Sequence, residues 1–203
     1  MSHFQAKLNR MIETSCAPRR GMDEMPFPHF VWQSAEPKKG SAMTKLFLEH
    51  RPNERWVLVG EGVAQCHAQL WTAWNSAARR QRRNNSLARS FDAEFLRYLS
   101  GTHHVSEAFK RAGVRNGDCS GCFLVLPAWE GAETSLPTTS GEEMLSITQQ
   151  ADSLAASLEA VLVGDPLECN IAGAERLGLS LDGSSGLNCD VLVGHVVSAE
   201  FNS

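Results

Sequence analysis

The order of apolar and polar positions divides the chain into short elements of two periods. Met43–His50 (MTKLFLEH) and Trp56–Gly60 (WVLVG) read as strand-like runs around the turn-rich Arg51-Pro52-Asn53-Glu54. That pattern predicts a hairpin whose second strand is well buried. Val63, His67, Leu70, Trp71, Trp74 and Ala77 or Ala78 then recur at spacings of three and four, the signature of a helix with one apolar face. Its other face carries Gln65, Gln69 and Asn75. A second helix is predicted from Ser90, placed to cap it, with Asp92 and Glu94 in a first turn that favours negative charge. Phe91, Phe95, Tyr98 and Leu99 form its stripe. In a third, Thr102 can cap the start and Val105, Ala108, Phe109 and Ala112 line one side. Gly113 stands where a left-handed residue ends many helices.

Asn116-Gly117 turns the chain into Cys119–Leu126, whose continuous apolar end suits a core strand. Residues 127–142 read as a loop rich in Pro, Gly, Ser and Thr. Met144, Ile147, Ala151, Leu154, Leu158 and Val161 predict a longer helix running towards a short strand. Asn170 can cap a short helix from Ile171 to Leu177, and Gly183–Gly186 reads as a turn. Leu187, Val191, Leu192 and Val196 suggest an apolar C-terminal helix. Residues 1–26 read as a flexible extension. Residues 27–203 then form a single compact α+β domain, a mostly antiparallel mixed sheet covered by helices.

Composition narrows the function. The net charge of −4 over 203 residues means that any nucleic-acid binding must come from a local patch. One is present: between Arg79 and Arg97 stand six arginines (79, 80, 82, 83, 89 and 97) against Asp92 and Glu94. Arginine pairs bidentately with phosphate oxygens, so this run is a candidate phosphate-binding surface. The alternative is a solvated loop or a contact with an acidic partner. No window reaches the ~18 consecutive apolar residues of a membrane span. The N-terminal residues lack the apolar core of a secretory signal, so the expected location is cytoplasmic. The six cysteines (16, 66, 119, 122, 169 and 189) are accordingly expected as free thiols.

Other chemistry is thinner. Cys119-Ser120-Gly121-Cys122 has the spacing of a redox dithiol or half a zinc site, but no second pair completes a zinc site and the motif leads into a strand. Packing is the preferred reading there, with no metal and no cofactor expected. His103 and His104, with Glu107 one turn along, can titrate near neutrality, yet no nucleophile or third ligand stands nearby in sequence. Solvated histidines or a phosphate contact fit better, and no catalytic residue is assigned.

The most specific stretch is Arg89-Ser90-Phe91-Asp92-Ala93-Glu94-Phe95-Leu96-Arg97-Tyr98-Leu99-Ser100-Gly101. It resembles the Arg-x-Leu-x-x-Glu-x-Leu-x-Tyr-Leu-Ser-Gly run of the KEOPS-complex kinase-binding subunit family (TPRKB-like, with archaeal and fungal relatives). Val105–Phe109, the strand at Val57–Gly60 and the C-terminal helix match that family in order. The resemblance covers residues 43–200. It implies a non-catalytic subunit that binds the complex's atypical kinase, and the other subunits indirectly. It also implies tRNA binding at the 3′ CCA end, in support of threonylcarbamoylation of adenosine 37. The implied tRNA face combines Arg79, Arg80, Arg82, Arg83 and Arg89 with the helix start at His103, His104 and Val105. Leu192 and Val196 are candidates for the kinase face, with ordinary core as the alternative. Where archaeal relatives read Gly-x-Arg-Gln-Ile, this chain has Gly101-Thr102-His103-His104-Val105, which implies a weaker or pH-sensitive tRNA contact.

Overall fold

Continuous apolar strands need cover on both faces, and the sheet has it. The computed structural model describes residues 25–130, 136–181 and 186–201. Within them four strands, β1 (His29–Gln33), β2 (Trp56–Gly60), β3 (Ser120–Val125) and β4 (Val161–Val163), form one sheet in the order β2-β3-β1-β4. Every pair is antiparallel, with Val57 opposite Leu124 and Val59 opposite Cys122. Alternate residues face opposite ways along a strand. Val57, Val59, Cys122 and Leu124 therefore belong to one core, and Trp56, Leu58, Phe123 and Val125 to another.

Seven helices among the described residues supply the cover: α1 (Gly40–His50), α2 (His67–Arg82), α3 (Phe91–Leu99), α4 (Val105–Ala112), α5 (Gly141–Ser157), α6 (Ile171–Arg176) and α7 (Cys189–Ser198). Met43 and Phe47 of α1 and Ile147, Ala151 and Leu154 of α5 close one face. The other is closed by Leu70 and Trp74 of α2, Phe95 and Leu99 of α3, Ala108 and Ala112 of α4, and Val196 of α7. Each fully buried large apolar side chain in these layers contributes about 1.5–3 kcal/mol of transfer free energy. The chain is one α+β domain, as the alternation of element types predicts.

Several local expectations are corrected. The expected first hairpin strand is helix α1, because Met43 and Phe47, four apart, are the buried residues while Leu46 and Leu48 are exposed. β1 is not marked by the sequence pattern, since Trp32 alone of its five residues is fully buried. Gln65 and Gln69 do not face solvent. Both are fully buried: Gln69 accepts from Gln65 N (3.0 Å) and donates to Val63 O (3.3 Å), while Gln65 Oε1 accepts from Asn170 N (2.7 Å) and its Nε2 has no partner among the described residues. Gly113 keeps an ordinary φ of −68°, and Phe109 is exposed. Asn170 caps α6 by accepting from Gly173 N at 2.8 Å, as expected. Most of the N-terminal extension and most of the Gly183–Gly186 turn lie outside the described residues, as does part of the 127–142 loop.

The connection after β2 is held by backbone contact. A Cβ on Gly173 would lie 1.9 Å from the carbonyl oxygen of Gly62, which itself sits at φ +69°. Gly173→Ala must push α6 off that turn, at about 1–3 kcal/mol for a small-to-large change in a packed site. The expected outcome is a clear drop in the urea midpoint with an unchanged slope. An unchanged midpoint would contradict the contact.

Candidate functional site

The arginine-rich connection between α2 and α3 is organised from within by one buried ion pair. Glu94 and Arg97, three apart on α3, are both fully buried. Glu94 Oε1 accepts from Arg97 Nη2 (2.8 Å) and Nε (3.2 Å). Its Oε2 accepts from the backbone N–H groups of Leu87 (3.0 Å) and Ala88 (2.9 Å). Arg97 Nη1 in turn donates to Thr102 O (3.1 Å) and Ala199 O (3.4 Å). One carboxylate thus fixes the loop before α3, and its guanidinium partner fixes the turn after α3 and the end of α7. The sequence pattern assigns Glu94 only a favourable place on the helix dipole; its larger role comes from burial.

A second, half-buried cluster runs beside it. The Arg97 guanidinium lies 4.2 Å from the centre of the Tyr98 ring, a cation–π arrangement. The Tyr98 hydroxyl accepts from Arg80 Nε (2.8 Å) and donates to Glu200 Oε1, and Arg80 Nη2 meets Glu200 Oε2 at 2.7 Å. Burial, then the hydrogen bond to Glu200, pushes the Tyr98 hydroxyl above its ordinary range. Burial alone would raise Glu200 as well, but the hydrogen bonds from Arg80 and Tyr98 outweigh it and hold that carboxyl low.

The six arginines therefore divide by role. Arg80 and Arg97 are consumed inside the fold. Arg82 donates to Trp129 O at 3.4 Å. Arg79, Arg83 and Arg89 are exposed, and no hydrogen bond or ion pair joins their side chains to the described residues. At the second part of the expected tRNA face, His104 is the exposed N-cap of α4, Val105 is half-buried, and His103 turns inward. The His103 Nε2 atom is buried without a hydrogen-bond partner among the described residues. Burial and the nearby Arg97 and Arg80 charges lower its pKa. The loop with Arg83 and Arg89 and the turn with His103 and His104 lie apart in sequence. The Glu94–Arg97 pair ties both to α3.

On α7, Leu192 and Val196 are 0 % exposed and belong to the core, the alternative the sequence left open. The outward apolar positions are Val193, half-buried, Val197, 43 % exposed, and Phe201 just beyond the helix, 80 % exposed. These follow one helical face at spacings of four. On the inner side, the His195 ring fills the space that a Cβ on Gly101 would take, 2.4 Å from its Cε1. Gly101 sits at φ +58°. Burial, and next the adjacent Arg111, lowers the His195 pKa, while the Ser100 and Leu177 carbonyls oppose the shift without cancelling it.

The cysteine motif is not a dithiol site. Cys119 is exposed ahead of β3, whereas Cys122 lies buried within it and its thiol is pushed up to about 12 by burial. Cys66 and Cys169 are also thiols outside any disulfide, but Cys189 is disulfide-bonded, which corrects the expectation of a thiol there. Among the described residues no three His, Cys, Asp or Glu side chains converge as metal ligands, and no helix is long and apolar enough to cross a membrane.

A family model described as kinase binding protein CGI-121 matches residues 41–164, from α1 through β4, and so takes in the Glu94–Arg97 pair. No curated protein matches the chain.

Two outcomes follow from this geometry. Arg97→Met leaves the Glu94 carboxylate buried and uncompensated, so a loss of about 3–5 kcal/mol is expected in urea denaturation. A loss under about 1 kcal/mol would mean that the pair stabilises little. His195 binds its proton less readily folded than unfolded, where its pKa is about 6.5. Its contribution is therefore harmless above that pH and destabilising as pH falls through it. The melting temperature is expected to fall between about pH 7.5 and 5.5, and to fall less in His195→Gln. Equal slopes in the two proteins would contradict the reading.

Proposed function

The chain belongs to the CGI-121 kinase-binding protein family, and from that premise we propose that it is a non-catalytic subunit whose task is to dock on a kinase. The observation that carries this is the family match across most of the sheet and the helices on both of its faces. The surface best suited to the kinase is the outward face of α7 with half-buried Val193 and exposed Val197 and Phe201, since apolar side chains left at the surface at helical spacing favour a protein partner.

The finer reading is a cytoplasmic subunit of the KEOPS complex, bound to its atypical kinase. It binds the 3′ CCA end of tRNA and thereby supports threonylcarbamoylation of adenosine 37. Arg79, Arg83 and Arg89 support it, being exposed guanidinium groups without a partner among the described residues. Arg82 and the helix start at His104 and Val105 extend that face. Arg80 and His103 act behind it, the first through Tyr98 and Glu200, the second by filling the turn.

The test has two arms. Val197→Asp/Phe201→Asp is expected to abolish co-purification with the KEOPS kinase while leaving the melting temperature unchanged; full retention would sink the α7 interface. Arg83→Ala/Arg89→Ala is expected to weaken binding of full-length tRNA and to flatten the log–log salt slope by about 1.5, at ~0.7–0.9 for each phosphate no longer neutralised. An unchanged slope, or equal affinity for tRNA trimmed of its CCA, would remove the RNA role and leave the arginines to an acidic protein.

A further inference from the structure

A cleft of about 400 Å³ opens where the α1–β2 turn, the start of α3 and the segment leaving β3 meet. Neither proposed binding surface uses its residues. Its walls include Phe91 and Trp129, with ring centroids 6.3 Å apart and planes inclined at 44°. Both rings pack in part against the main core, so they are held in place before any ligand arrives.

The charges around the rings are of two kinds. The cations already have acceptors, Arg82 among them through Trp129 O at 3.4 Å. Arg55 donates to Leu126 O at 2.7 Å and meets Glu143 at 3.4 Å, and Arg51 pairs with Asp92 at 3.0 Å and donates to Trp56 O. The carboxylates of Glu54 and Glu130, by contrast, are exposed and have no hydrogen bond or ion pair with the described residues. Two preset aromatic faces beside two unpaired carboxylates attract a cation and repel an anion.

From this geometry we infer that the Phe91–Trp129 cleft receives an arginine side chain from a protein partner. A guanidinium is the best fit among biological cations. Its plane stacks on an aromatic face, its fork reaches carboxylates bidentately, and it is weakly hydrated, so entering an apolar cleft costs it less than an ammonium. The volume suits one side chain, and the cleft opens at the surface, where a docking segment can present it.

The probe is N-acetyl-arginine N-methylamide, titrated into the full chain and read at the Trp129 indole N–H resonance, which is assigned by its disappearance in Trp129→Leu. A saturable shift is expected with this probe, a smaller one with spermidine, and none with N-acetyl-glutamate N-methylamide. Removing Glu54 and Glu130 together as Glu54→Gln/Glu130→Gln keeps the rings, and is expected to weaken the arginine probe about fivefold. Both substituted side chains are exposed, so the fold is retained, and an unchanged melting temperature checks this. No shift with the arginine probe overturns the inference. So does an equal response to the glutamate probe, tighter binding of spermidine, or an undiminished response in the Gln variant.

Discussion

Glu94 and Arg97 are buried together, and the local architecture follows from what such a pair requires. A carboxylate removed from water must have its oxygens satisfied, and a guanidinium its five donors. Glu94 meets this by taking two backbone N–H groups from the incoming loop as well as two donors from Arg97. Arg97 meets it by reaching the turn after α3 and the last turn region of α7. Glu94 is satisfied only when the loop is in place, and Arg97 only when the turn and the end of the C-terminal helix are. The pair therefore makes the assembly of those three segments around α3 mutually dependent.

That dependence explains how the surface is shared out. The arginines nearest the core, Arg80 and Arg97, hold the framework, while Arg79, Arg83 and Arg89 stay outside it. Leu192 and Val196 likewise seat α7, while Val197 on the helix and Phe201 just beyond it remain exposed. In each case an inner row of residues fixes an element whose outer row stays at the surface. Under the proposed function, such a division shapes the docking surfaces before the partner arrives, which lowers the cost of binding.

The framework is legible in the sequence where periodicity is strong. The helices over 91–99 and 105–112, the buried strands at 56–60 and 120–125 and the Asn170 cap emerge as their spacing predicts. Met43–His50 reads as a strand because eight residues with apolar side chains at 43, 46, 47 and 48 satisfy both periods, and only tertiary packing selects the helix. β1 escapes the pattern because its burial is uneven along five residues. For the candidate site, the sequence locates the arginines but cannot rank them. Which guanidinium is spent internally depends on Glu200, more than one hundred positions from Arg80 and Arg97, and on backbone carbonyls that no pattern marks. The 89–101 block, the most specific part of the resemblance, contains both members of the buried pair.

The most direct measurement is amide hydrogen exchange in Glu94→Gln. The replacement keeps the shape, but one carboxylate oxygen becomes an NH2 group, which must then face either the Arg97 guanidinium or the Leu87 and Ala88 N–H groups as donor against donor. Protection at Leu87 and Ala88 is expected to fall by about tenfold or more, the cost of leaving a buried donor unsatisfied, while the strands β2 and β3 stay protected. Unchanged protection at those two amides would contradict the claim that this buried pair organises the loop.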